Sequence, residues 1–203
     1  MNIDSSSEKL PQRLRDRFRK ETSRTVLAAA EQVFAEEGLH AASMSKIAER
    51  AGVAVGTIYR HFPSKQALGN AVYQRWKGQL LDRLNDGPNP GSARQSFAHL
   101  WSALDAFATE HPDAFAFLEY QHHAAYLDAE SVALNERSTT LALEMVLLGQ
   151  KTGEVRDGDP AVLVALAYGA FIGLSKARWF GAVRGRTDIA AAESAVWDLL
   201  RAP

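Results

Sequence analysis

Residues 43–65 read SMSKIAERAGVAVGTIYRHFPSK, two short helical segments joined by a tight turn at Ala51, Gly52 and Val53. Ser43 is placed to cap the first segment, whose inner face is Met44, Ile47, Ala48 and Ala51. Ala48 is small enough for a close helix approach, and Gly52 tolerates the left-handed backbone that the turn needs. The next segment carries Val55, Ile58, Tyr59 and Phe62 at helical spacing. Pro63 and Ser64 stop it and cap a further helix reaching about Asn85. Val53, Ile58 and Phe62 supply the plug between the two short helices. With Ile58 and Phe62 inward, Gly56 and Arg60 face most directly outward, flanked by Thr57, Tyr59 and His61. Donors, a cation and a close backbone approach are what a helix in a DNA major groove requires. On spacing alone, an ordinary helical hairpin with incidental polar residues stays open.

Working outward, an earlier helix is predicted over 22–37, with Val26, Leu27, Ala30, Val33 and Phe34 on one face and Gly38 ending it. Between Lys9 and Arg24, ahead of this helix and into its first turn, lie Lys9, Arg13, Arg15, Arg17, Arg19, Lys20 and Arg24 against only Asp16 and Glu21. The first 68 residues hold eleven basic and eight acidic side chains, the remainder twelve and sixteen, although the whole chain sums to −1. This asymmetry suggests a polyanion partner for the N-terminal end, or simply a solvated arm. Downstream, the breaker DGPNPG at 86–91 is followed by predicted helices over 92–110, 113–126, 129–152, 160–184 and 188–201. Nothing alternates with the period of a strand, so the fold class is all-α.

Cysteine is absent from the 203 residues, which excludes disulfides, zinc-thiolate sites and thiol chemistry. The polar start (Asn2, Asp4, Glu8, Lys9) lacks the apolar core of a signal peptide, so a cytoplasmic location is expected. Residues 161–175 are uncharged, but Lys176 and Arg178 follow. That run is shorter than the roughly 20 residues a spanning helix needs, and a buried helix with no membrane partner is expected.

Residues 22–68 resemble the DNA-binding domain of the TetR family of transcriptional regulators. The matching pieces are the alanine-rich helix ending Phe34-x-x-x-Gly38, then Ile47-Ala48, Ala51-Gly52-Val53, Gly56-Thr57-Ile58-Tyr59, His61-Phe62 and Ser64-Lys65-x-x-Leu68. The resemblance implies three domains: a flexible basic arm over 1–21, a three-helix helix-turn-helix domain over 22–68 with the start of the fourth helix, and a larger helical bundle over 69–203. It also implies that Val55, Gly56, Thr57, Tyr59, Arg60 and His61 meet bases and phosphates. Ser43, Ser45 and Lys46 stand near the DNA backbone, and Lys65 matches a phosphate-contacting lysine. Arg60 is the side chain suited to reading a guanine bidentately. The basic arm is expected to add phosphate contacts or enter a minor groove.

The larger domain of the family holds a ligand cavity and a dimer seam, and three features here bear on both. Ala161, Ala165, Gly169, Gly173, Ala177 and Gly181 recur every four residues, a ridge that lets another helix approach closely. Intramolecular packing and a homodimer seam shared with the last helix (Ile189, Ala192, Val196, Leu199, Leu200) are the two readings, and the resemblance favours the second. Aromatic side chains crowd the middle of the chain (Trp101, Phe115, Tyr126, Tyr168, Phe171), as core or as pocket lining. An apolar cavity is expected between 101–126, including Leu118, and 143–171, including Leu147. The segment FAFLEYQHHAAY over 115–126 sets Glu119 within a helical turn of His122 and His123, as polar contacts to a ligand or as satisfied structural groups. Adjacent histidines do not share a helix face and no third ligand is evident, so no metal and no cofactor is expected.

The function these readings lead to is a cytoplasmic, homodimeric repressor. It binds a palindromic double-stranded operator and is released by a small apolar or amphipathic effector carrying one donor or cationic group. The competing reading is a DNA-bound regulator controlled by a protein partner without a small ligand. No nucleophile–base set, phosphate loop or metal triad points to an enzyme.

Overall fold

The computed structural model describes residues 11–87, 91–123, 125–183 and 187–203, with only the backbone described at 187–189. Among them the chain forms nine helices and no strand, the one extended feature being an isolated antiparallel bridge between Val155 and Arg201. Two compact units divide it, Met1–Val72 and Tyr73–Pro203.

The first unit holds α1 (Gln12–Ala41), α2 (Met44–Ala51), α3 (Val55–His61) and the opening turns of α4 (Lys65–Asn85). Helix α1 begins ten residues earlier than its apolar face implies, so the arm expected to be flexible is helical from Gln12. After Pro11 the run QRLRDRFRK contains only residues that accept the helix, with Pro11 outside it as the N-cap. Apolar periodicity did not mark this segment because residues 12–21 are all exposed. Lys9, like the rest of 1–10, lies outside the described residues. Gly38 takes φ 74° and ψ 159°, which kinks α1 before its last turn and lets Leu39 return to the core. Val26, Ala30, Val33, Phe34, Ile47, Ile58 and Leu68 are fully buried and tie α1, α2, α3 and the start of α4 together.

In the second unit, the remainder of α4 is joined by α5 (Ala93–Glu110), α6 (Pro112–Tyr120), α7 (Ala129–Thr152), α8 (Pro160–Trp179) and α9 (Thr187–Leu200). Side-chain caps begin three of them: Ser92 accepts from Gln95 N at 3.2 Å, Asp128 from Ser131 N at 2.9 Å, and Asp159 from Ala161 N at 2.8 Å. The core is aromatic, with Phe97, Trp101, Phe107, Phe115, Phe117 and Phe171 all buried. Trp101 meets Phe171 edge-on at 5.1 Å between centroids.

Three expectations fail here. Helix α6 stops at Tyr120 instead of 126, because Gln121 turns to an extended backbone (φ −101°, ψ 154°). Helix α8 stops at Trp179, leaving Gly181 beyond it with φ 72°. Nor is α8 a buried helix: although long and apolar enough to cross a membrane by length and composition, only 17% of its apolar window is buried. Val162, Leu166, Gly169, Ala170 and Gly173 are exposed.

Candidate nucleic-acid interface and ligand cavity

The turn between α2 and α3 is built from backbone bonds and one glycine. Ser43 Oγ accepts from Lys46 N at 3.1 Å and starts α2, and Gly52 ends it at φ 65°. Val53 N then donates to Ala48 O at 3.0 Å, closing the turn. Within α3, Ile58 is fully buried, which turns Gly56, Tyr59 and Arg60 to solvent and leaves Val55, Thr57 and His61 half-buried. A Cβ added to Gly56 would meet nothing within 4 Å, so that backbone is open to close approach. Arg60 Nη2 donates to Thr57 Oγ1 at 3.0 Å, which holds the guanidinium along the exposed face.

The flanking cations are all engaged. Lys46 pairs with Glu37 and lies 3.7 Å from Glu36, while Arg50 reaches Glu36 at 2.6 Å. The Glu37 hydrogen bond raises the Lys46 pKa from its ordinary value. These pairs brace α2 against α1 at exposed positions, where solvent screens such contacts and they yield readily to a phosphate. Lys65 Nζ donates to the carbonyl oxygens of His40 at 2.7 Å and Ala42 at 2.9 Å. It therefore locks the chain after the Gly38 kink to the first turn of α4 and keeps one donor for another partner. Ser45 is exposed at the start of α2. Burial, then the charges of Arg19 and Arg60, lower the His61 pKa. Arg19 on α1 thus acts on the recognition segment, a neighbour the sequence did not reveal.

The second unit contains a cavity of about 380 Å³ lined from α4 to α9. Of the residues expected at a ligand site, Trp101, Glu119, Tyr168 and Phe171 line it; Phe115, Leu118, His122, His123, Tyr126 and Leu147 do not. Phe115 and Leu118 are buried elsewhere in the core, and Leu147 is 52% exposed. Because α6 ends at Tyr120, Glu119 and the two histidines do not share a helical turn, and His122 is exposed. His123 is a structural group. Its Nε2 donates to the Phe117 carbonyl at 2.6 Å, and Nδ1 accepts from the Tyr126 hydroxyl. A carbonyl only accepts, which fixes the proton on Nε2. Burial holds this ring below the ordinary histidine range, so it is neutral.

The partner of Glu119 is instead Lys77, on α4, at 3.4 Å. Both line the cavity, beside Tyr168, whose hydroxyl is pushed far up by burial and then by the Glu119 carboxylate. Lys77 was missed, though a signal exists. It sits with Tyr73, Leu80 and Leu84 on one apolar stripe of α4, and all four are buried. The expected seam residues divide as well. Ala165, Gly169 and Gly173 are exposed, and Ala177 and Val196 are half-buried. Leu200 is fully buried and lines the cavity, because α9 turns that end of its apolar face inward. Ile189 lies among the residues whose side chains are outside the description.

Comparison with known proteins agrees with this division. A family profile described as "Bacterial regulatory proteins, tetR family" matches residues 26–72, and one described as "Tetracyclin repressor-like, C-terminal domain" matches 73–202. The HTH-type transcriptional repressor BepR of Brucella suis is 29% identical over 176 residues, covering 81% of this chain and 83% of BepR. A TetR family regulator from Marinobacter aquaeolei superposes with a TM-score of 0.79 at 24% identity, covering 94% of this chain and all of that one. FadR of Bacillus subtilis, solved in complex with stearoyl-CoA, gives 0.72 at 23% identity, covering 87% and 96%. With residues 26–72 of its helix-turn-helix unit and 73–202 of its C-terminal helical unit matched, the chain belongs to the TetR family of transcriptional regulators, which are not enzymes.

Proposed function

We propose that this chain is a cytoplasmic, homodimeric repressor that binds a palindromic operator through α3 of each protomer and releases it when a small apolar or amphipathic effector enters the cavity. The cavity is the observation that carries the reading. A regulator controlled only by a protein partner needs no such space, and a well-packed helical core seldom leaves voids this large. Helix α4 carries Lys65 in its first turn and Lys77, Leu80 and Leu84 on the cavity wall. A ligand that favours one placement of α4 acts on the helix that enters the DNA-binding unit, by no more than its differential affinity for the two states. BepR bears the name of a repressor, and FadR shows the same fold holding a molecule with a long apolar chain.

Tyr59 on α3 and Lys65 at the start of α4 position the protein on phosphates, and Arg60 on α3 reads a base. Selection from random duplexes tests this directly. The expected product is an inverted repeat with half-sites about one helical turn apart, bound by two chains. Arg60→Ala should relax preference at one position per half-site, costing about 1–3 kcal/mol there. An asymmetric consensus, or one chain per duplex, overturns the proposal.

A further inference from the structure

The ion pair in the cavity wall has unused hydrogen-bonding capacity, and it lies on the donor side. Lys77 is 4% exposed, and among the described residues its ammonium has one hydrogen-bond partner, Glu119 Oε1 at 3.4 Å. Charge-assisted bonds of this type usually span about 2.8 Å. An ammonium has three N–H donors and accepts nothing, so two of its donors are unspent where water has little access. Glu119, by contrast, is engaged by Lys77, and its carboxylate helps to raise the pKa of the neighbouring Tyr168 hydroxyl.

We propose that the effector presents an uncharged acceptor, a ketone, ester or amide carbonyl on an otherwise apolar body, to Lys77 Nζ. This rests on reading the cavity as the effector site, and it reverses the donor or cationic head group that the sequence suggested. A ligand ammonium would bring a second positive charge beside Lys77 and compete for a carboxylate already engaged. A ligand carboxylate would leave a net negative charge among Leu80, Leu104 and Phe171, since Lys77 and Glu119 already balance. A carbonyl oxygen occupies the unspent donors and leaves that balance unchanged.

Three probes of equal chain length separate these cases: methyl nonyl ketone, undecylamine and undecanoate. Their binding to the full-length protein is followed by tryptophan fluorescence and by the shift in thermal midpoint. The ketone is expected to bind about tenfold tighter than either charged probe. In Lys77→Met/Glu119→Gln, which removes the pair as a neutral unit, that preference should fall below about twofold. Should the double variant not fold, the wild-type ranking alone decides. The amine or the carboxylate ranking first, equal affinities, or a ketone preference that survives in the double variant overturns the acceptor proposal while leaving the effector site standing. If none of the three binds, the effector-site reading itself fails.

Discussion

Lys65 is bound to two carbonyls before any DNA arrives, so its truncation acts on folding as well as on binding. Lys65→Met removes both bonds and leaves the oxygens of His40 and Ala42 without their cation. A loss of about 2–3 kcal/mol is expected, read as a lower urea midpoint, together with about one unit less slope in the salt dependence of DNA affinity. An unchanged midpoint would show that water replaces the lysine. The resemblance to the family picked out Lys65 by position, but its carbonyl partners lie 25 and 23 residues away and no local pattern names them. His123 makes the opposite case, a side chain that local spacing misassigned. Burial lowers its pKa from 6.5, so below pH 6.5 the unfolded chain binds a proton that the folded chain refuses. Its contribution to stability is complete above pH 6.5 and declines as pH falls toward the depressed value. The difference in unfolding free energy between wild type and His123→Gln should therefore shrink on acidification through that window. A pH-independent difference would mean that the ring is not held neutral.

Helices whose apolar faces repeat cleanly were legible in the sequence: α2, α3, α4, α5 and α7 lie within about two residues of where periodicity and caps put them. The misplaced boundaries have local causes. The exposed opening of α1 has no apolar face to read, and α6 ends where the His123 side chain bonds the Phe117 carbonyl, a C-terminal cap that acts from six residues on. Packing between elements was not legible at all. At the α7 C-terminus, Gly149 lies so close to α5 that an added Cβ would stand 2.8 Å from Ala93 Cβ and closer still to Val155. Glu154 then reaches the start of α5, accepting from Ala93 N and Arg94 N at 3.2 Å each. Those donors outweigh its burial and lower its carboxyl pKa, and the negative charge suits a helix N-terminus. Gly149→Ala would improve helix propensity by about 1 kcal/mol on an exposed face, but here the steric conflict wins. A net loss of about 1–3 kcal/mol is expected, visible as a lower thermal midpoint. A rise in that midpoint would mean that α5 and α7 separate freely.

At the scale of the whole molecule, the open question is what covers α8. Val162 is 54% and Leu166 52% exposed, on the helix that also presents Ala165, Gly169 and Gly173 to solvent. An apolar face of this kind on a regulator marks a surface for another protein chain. The proposed occupant is a second copy, meeting the first through the same patch. Ala165 lies both on the exposed stripe and on the cavity wall. Gly173→Leu separates this from internal packing. A Cβ at Gly173 would meet nothing within 4 Å of its own chain, and leucine favours a helix over glycine by about 1 kcal/mol. The isolated protomer should therefore be as stable as wild type or slightly more so. Two protomers brought together through their small residues would each carry the added bulk, at about 1–3 kcal/mol per side. Sedimentation at micromolar concentration should show the dimer weakened by tenfold or more on that scale. Operator affinity should fall with it, because a monomer engages one half-site. A variant that stays dimeric and keeps its operator would put the seam elsewhere on the bundle; one that loses unfolding stability as a monomer would show that α8 packs inward after all.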